Sequence, residues 1–228
     1  MLSVQHNFLF IHVPKTAGNA IQNILRDYSE AQIETDHEIA DGKDEFGVTD
    51  PKYGTTKHAT LAEYRSVVEP EIYRQLFKFA VVRNPWERMI SGYFSPYRGD
   101  VEWDEDSFRK YVLDRPPIRH YITEKKALNN IASKVSYIAP SISCIIKPLD
   151  KDLDFVLRFE NLEGDFKSLC SHLGIPHQSL PVRNRSGRNH YSSYYTDRLR
   201  RLVKKKFSEE IHFFSYSFKK IKVSSEFD

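Results

Sequence analysis

The chain has 228 residues, 40% of them hydrophobic, and a net charge of +3 from 34 Lys and Arg against 31 Asp and Glu. That length suits one domain, residues 1–228, with a sizeable core. The near balance of charge argues against nucleic-acid binding by bulk electrostatics, and it leaves room for local basic sites that hold small anions. No run approaches the roughly 18 apolar residues of a bilayer span, and the short polar opening Met1–Asn7 does not read as a secretory leader. Cys144 and Cys170 have neither metal-ligand spacing nor a disulfide framework, so both read as reduced thiols.

In chain order, the apolar run Phe8–Val13 predicts a strand that breaks at Pro14. The loop Lys15-Thr16-Ala17-Gly18-Asn19 follows, then a helix with Ala20, Ile21, Ile24 and Leu25 on its apolar side, ending near Tyr28. Residues 29–56 are polar and carry Gly42, Gly47, Pro51 and Gly54, which predicts a long irregular loop. Thr60-Leu61-Ala62-Glu63 is a capping box for a helix to about Val68, closed by Glu69-Pro70. Leu76–Val82 predicts a second strand, and Pro85 opens a helix striped by Met89, Ile90 and Phe94. Ser95–Glu105 reads as loop with an exposed Trp103. Ser107–Leu113 reads as helix, and Pro116-Pro117 breaks it. Residues 118–150 show no clear pattern, and Pro140 and Pro148 argue against one long helix there. Asp154–Phe159 predicts a strand, and Asn161–Leu173 an amphipathic helix stopped by Gly174. A loop rich in Arg, Asn, Ser and Tyr runs from 176 to 195. Thr196 then caps a last helix to about Phe213, with Lys204, Lys205 and Lys206 on its solvated face. Strands alternating with helices predict an α/β fold: three layers, P-loop-like, with a mainly parallel central sheet.

Two places in this pattern carry chemistry. A helix N-terminus presents unpaired N–H groups and partial positive charge, so the loop Lys15–Asn19 reads as a phosphate cradle. Lys15 adds a full charge, Thr16 a hydroxyl, and Gly18 close backbone approach. The order differs from G-x-x-x-x-G-K-[ST], since the lysine precedes the glycine and the first glycine is missing. The competing reading is an ordinary strand–helix connection. The second place is Arg83-Asn84-Pro85-Trp86-Glu87-Arg88-Met89-Ile90-Ser91, where a strand ends in arginine rather than in the acidic residue that would hold magnesium. Arginine's fork of donors matches a terminal phosphate; a structural salt bridge is the alternative. In an open α/β sheet, both loops fall beyond the carboxyl ends of the strands, where ligands bind.

These two segments resemble those of the carbohydrate 2-O- and 4-O-sulfotransferase family. There, P-K-[TS]-[AG]-G holds the 5′-phosphosulfate of 3′-phosphoadenosine 5′-phosphosulfate (PAPS), and R-[DN]-P-x-x-R-x-x-S holds the 3′-phosphate. Lys57-His58-Ala59-Thr60, the run Phe155–Leu162 and the tail Asn184–Phe218 are looser echoes, so the resemblance spans nearly the whole chain. It implies PAPS as donor, adenosine 3′,5′-bisphosphate as product, and a hydroxyl acceptor, above all a carbohydrate; because a sulfuryl group carries less charge than a phosphoryl group and no carboxylate pair is spaced to hold magnesium, no metal requirement is expected. Lys15, Thr16, Ala17, Gly18, Asn19, Arg83, Ser91 and Arg188 would bind the nucleotide. Asn19-Ala20 departs from the hydroxyl pair of many relatives, and Ala20 cannot donate a side-chain hydrogen bond.

For catalysis, Lys15 is expected to neutralise the leaving phosphate and His58 to act as general base, its ordinary pKa lying near the working pH. Glu87 or a glutamate between Glu34 and Glu45 is the alternative base. The Tyr191, Tyr194 and Tyr195 group offers stacking for adenine. Arg98, Trp103, Arg119 and His120 are candidates for the acceptor cleft, an aromatic face suiting a sugar and arginine an anionic one. Animal Golgi relatives carry a membrane anchor, and a chain opening this close to its first strand reads as cytoplasmic. An atypical P-loop nucleotide kinase, and a non-catalytic module for nucleotide or anionic glycan, remain as alternatives.

Overall fold

The computed structural model describes residues 1–30, 32–34, 47–95, 98–99, 101–124, 151–181 and 188–220. Its centre is a four-stranded sheet in the order β1-β2-β6-β7, formed by β1 (Leu2–Ser3), β2 (Phe8–Ile11), β6 (Phe77–Val82) and β7 (Phe155–Arg158). The last three are parallel, with Phe10 opposite Phe79 and Val82 opposite Arg158, while β1 is an antiparallel edge. β3 (Gln32–Glu34), β4 (Gly47–Asp50) and β5 (Thr55–Thr56) form a separate antiparallel sheet.

Side chains alternate across a strand, and here the alternation sets the layers. Phe8, Phe10, Phe79, Val81 and Leu157 point to one face and pack against α1 (Gly18–Leu25), through Ile21, Ile24 and Leu25, and α7 (Leu162–Leu173), through Phe166, Leu169 and Cys170. Leu9, Ile11, Ala80 and Val82 point to the other. There they meet α2 (Leu61–Val67), α3 (Pro70–Gln75) and α6 (Arg119–Ile122) through Leu61, Tyr64, Tyr73, Ile118 and Ile122. The molecule is thus an α/β protein with a mostly parallel sheet between helical layers. A third cluster joins α4 (Pro85–Tyr93), α5 (Glu105–Asp114), α8 (Asp197–Lys206) and α9 (Ser208–Phe213) around Tyr93, Phe108, Leu199 and Phe207.

Several elements depart from the sequence expectation. The stretch 29–56 holds the small second sheet, although residues 35–46 lie outside the described set, as do 125–150 with Cys144. Pro70 opens α3 at its first turn instead of only closing α2, because a helix start does not need the missing N–H. Met1 and Leu2 are buried, with Leu2–Ser3 pairing to the first long strand. The last helix is two helices meeting at Phe207, which is buried and non-helical at φ −109°. Trp103 is half-buried against Tyr93, Phe94, Phe108 and Tyr194.

Candidate active site

β2 and β6 are neighbours in register, so the loops after Ile11 and Val82 emerge side by side. After β2 the backbone is forced into the left-handed region at Lys15 (φ 68°) and at Ala17 (φ 70°), the N-cap of α1. Non-glycine residues avoid this region at a cost of about 1–2 kcal/mol, and such turns make concavities of N–H groups that hold anions. Gly18, by contrast, has no positive φ. Its need for hydrogen is steric: an added Cβ would lie 2.0 Å from Cδ2 and 2.2 Å from Nε2 of His12. The Thr16 hydroxyl is fully buried and donates to the Val13 carbonyl at 2.8 Å, which closes the turn.

Lys15 donates from Nζ to Ser95 Oγ at 2.9 Å, beyond the end of α4. Burial lowers its pKa to about 8, with help from the positive charges of Arg83, Arg188 and Lys57. Arg83 is 6% exposed and joins the two loops: Nη1 donates to the Lys15 carbonyl at 3.1 Å and to Ser91 Oγ at 3.2 Å. Its Nη2 donates to Glu87 at 2.7 Å, and the guanidinium lies 3.6 Å from the Phe159 ring centroid. The Nε is buried with no hydrogen-bond partner among the described residues. Arg188 lies near enough for its pKa to be lowered by burial and by Arg83. Lys15, Arg83 and Arg188 therefore lie within one another's electrostatic reach, with Lys57 acting on Lys15 and with Glu87 paired to Arg83, an arrangement that favours an anion of more than one charge.

His58 stands at the loop before α2, whose capping box is present as expected, with Thr60 and Glu63 exchanging hydrogen bonds. Its Nδ1 donates to the His12 carbonyl at 3.0 Å, which leaves Nε2 as the acceptor. The residue reaches solvent, yet its ring is set deep enough for desolvation, then Lys57 and Lys15, to lower its pKa. Glu87 is engaged by Arg83, and residues 35–46, with the glutamates proposed there, lie outside the described set.

Next to Lys15 a cleft of about 220 Å³ opens between α4 and the segment that follows α5. Arg88, Arg98, Arg115, Tyr111 and Tyr121 line it, together with Ser95, and no carboxylate among the described residues does. Of the four acceptor-cleft candidates only Arg98 lines it. Trp103 belongs to the aromatic core, Arg119 is paired with Glu209, and His120 lies exposed against Tyr121. Tyr191, Tyr194 and Tyr195 likewise pack around Phe94, Phe108 and Phe218. The sequence reading missed Ser95, Arg115 and the buried pair of Arg88 with Glu210 at 2.9 Å; R-x-x-x-x-R at the strand end was the visible signal for Arg88.

The two loops, in the order P-K-T-A-G and R-N-P-x-x-R-x-x-S, are accompanied by a match of residues 1–217 to the model of the sulfotransferase family. The chain belongs to the sulfotransferase family. Among curated relatives it is similar to carbohydrate sulfotransferase 14 of Danio rerio, 23% identical over 202 residues, covering 80% of this chain. The chain spans 50% of that relative's length. No solved structure gives a significant match. Among the described residues, no helix is long and apolar enough to cross a membrane.

Proposed function

We propose that this sulfotransferase moves the sulfuryl group of PAPS to a hydroxyl of a carbohydrate. The observation that carries the reading is the join between Lys15 and Arg83, which sets two cationic loops at the ends of adjacent parallel strands. The grouping of Arg83 with Lys15 and Arg188, with Lys57 acting on Lys15, supports a nucleotide carrying phosphates at both its 3′ and 5′ positions. Arg83, Ser91 and Arg188 take the 3′-phosphate. Lys15 and the amides of residues 16–19 take the 5′-phosphate end.

In the reaction the acceptor oxygen forms a bond to sulfur as the bond from sulfur to the 5′-phosphate oxygen breaks. The products are a sulfate ester and adenosine 3′,5′-bisphosphate. His58 Nε2 takes the acceptor's proton, the role a neutral imidazole with a lowered pKa can fill near neutral pH. Lys15 neutralises charge that builds on the departing oxygen. The acceptor enters by the cleft beside Lys15, where Arg98 and Arg115 each lie within 5 Å of the Tyr111 ring, at 4.9 and 4.7 Å. The carbohydrate assignment draws on the relative named carbohydrate sulfotransferase 14.

Calorimetry with adenosine 3′,5′-bisphosphate, and separately with ATP and magnesium, tests the donor. Tight binding of the bisphosphate, lost in the Lys15→Met/Arg83→Met variant, is expected. Unchanged affinity in that variant, or preference for ATP with magnesium, overturns the reading. Labelled PAPS with a glycan panel tests turnover. His58→Ala should remove about 10²–10⁴ of the rate, the share of a positioned base, while bisphosphate affinity stays near normal.

A further inference from the structure

The side chain of His12 lies between the anion loop and the candidate base. It is 4% exposed and stacks on Phe10 of β2, centroids 5.9 Å apart. Its Cδ2 and Nε2 fill the place where Gly18 would carry a Cβ. Its Nδ1 lies 2.9 Å from Oε1 of Gln22, a fully buried residue of α1. With the Gln22 amide oxygen facing it, Nδ1 of His12 is the donor, and the Gln22 amide nitrogen is buried without a hydrogen-bond partner among the described residues. One residue thus makes contact with the strand, the loop glycine and the helix.

The same residue reaches the base through its main chain. The His12 carbonyl accepts from His58 Nδ1 at 3.0 Å, and the two rings stand 4.6 Å apart at 59°. The hydrogen bonds therefore run in series: Gln22 oxygen to His12, then the His12 carbonyl to His58. The charged groups acting on the pair near neutral pH are Lys15 and Lys57, both cations; burial lowers the pKa of the Met1 amino group to about 5, so it is neutral there. With no carboxylate in the series, both rings stay neutral near neutral pH, and only the oxygens decide where each proton sits. A phenyl ring would fill the volume of His12 without the tie to α1. A buried polar ring is costly unless its bond is made, so packing alone does not call for histidine here.

We propose that Gln22 and His12 are positioning residues, through which helix α1 fixes the strand end whose carbonyl holds His58 as its Nδ1–H tautomer with Nε2 open to the acceptor. The inference rests on the reading of His58 as base only for its use in catalysis; the tautomer itself is measurable without turnover. In this arrangement the anion loop and the base are referenced to one side chain, so α1 cannot shift on an anion without carrying His58 along.

Imidazole ¹⁵N NMR on the full chain tests it, with Gln22→Met as the near-isosteric variant and His12→Phe as the ring-retaining one. In the unsubstituted protein His58 should show a protonated Nδ1 and an unprotonated Nε2. In both variants it should become a tautomer mixture, with turnover reduced at least about tenfold, a part of what a positioned base supplies. Gln22→Met leaves Gly18 untouched and should keep the bisphosphate Kd within about twofold, a shift of well under 1.4 kcal/mol. Gln22→Glu retains the acceptor and should restore the single tautomer. A single Nδ1–H tautomer persisting in Gln22→Met, or Nε2–H in the unsubstituted protein, overturns the proposal, and so does a rate loss in Gln22→Met with the tautomer unchanged. An active His58→Ala beside a tautomer shift in Gln22→Met would remove the base reading and leave this one standing; an inactive His58→Ala beside an unshifted tautomer would do the reverse.

Discussion

Replacing Gly18 by alanine is the sharpest probe of how the loop is built. The new methyl would sit 2.0, 2.2 and 2.6 Å from three atoms of the His12 ring, far inside contact distance. That ring cannot swing away at little cost, since Phe10, His58 and Gln22 hold it on three sides. Overpacking of this kind costs about 1–3 kcal/mol. Alanine in a helix recovers at most about 1 kcal/mol against glycine, and less at a first position, so the clash wins by roughly 2 kcal/mol. For a chain of this size that lowers Tm by about 4–8 °C. The methyl also pushes the anion loop off its seat. Losing one hydrogen bond to a charged phosphate costs about 1.5–3 kcal/mol, or roughly 10–150-fold in affinity for adenosine 3′,5′-bisphosphate. Thermal unfolding and calorimetry read the two effects. The decisive arm is the pair: in a His12→Ala background the methyl has room, so Gly18→Ala should there cost little stability. Equal cost in both backgrounds, or a native-like Gly18→Ala, would refute the steric account.

The rate should depend on pH from both sides. On the acid side kcat/KM falls once His58 is protonated, at a pH below the ordinary histidine value because its pKa is lowered. On the alkaline side it falls as Lys15 loses its proton near pH 8, while the limb seen in kcat lies higher because bound anion favours the charged amine. A pH–rate profile without an alkaline limb would discount Lys15. Ala17→Gly removes a left-handed non-glycine residue and should raise Tm by about 2–4 °C, from the roughly 1 kcal/mol recovered; a lower Tm would show that the loop is not strained. Glu210→Ala leaves Arg88 buried without its partner and should cost about 3–5 kcal/mol, whereas the Arg88→Met/Glu210→Met pair should unfold close to the unsubstituted protein; equal losses in denaturant midpoint would contradict this.

Where the backbone decides the outcome, the sequence was readable. The runs ending at Ile11 and Val82 form strands because β-rich apolar stretches can do little else, the Thr60–Glu63 capping box starts α2, and Gly174 stops α7. Lys15, Arg83 and Ser91 meet because their positions relative to strand ends fix them. Long-range pairing was not readable. Nothing local says that Arg119 turns to Glu209, or that Trp103 joins Tyr93 rather than a cleft. The second sheet was hidden because its strands are short, polar and set in a stretch dense with turn residues. Gly18 was read as allowing close backbone approach to an anion, and only the ring of His12 shows the side-chain clash that a Cβ there would meet.

Arg83 and Arg88 make the clearest case that burial alone does not mark a binding residue. Both guanidiniums are nearly inaccessible, at 6% and 3%, and both come from one short segment. Arg88 meets a carboxylate as deeply buried as itself, and Glu210 uses its second oxygen to accept from the Ile118 amide at 2.9 Å, tying α4 to the start of α6. That charge is cancelled where it stands, and the pair holds the two walls of the cleft together. Arg83 has Glu87, a partner 27% exposed at its side chain, and so a weaker counter-charge. It also faces two further cations, Lys15 and Arg188. A buried cation in that company is stable only if something anionic completes it. The same residue type thus does structural work at one position and leaves the other short of negative charge, five residues away in the chain, and that deficit is what a doubly phosphorylated nucleotide would fill.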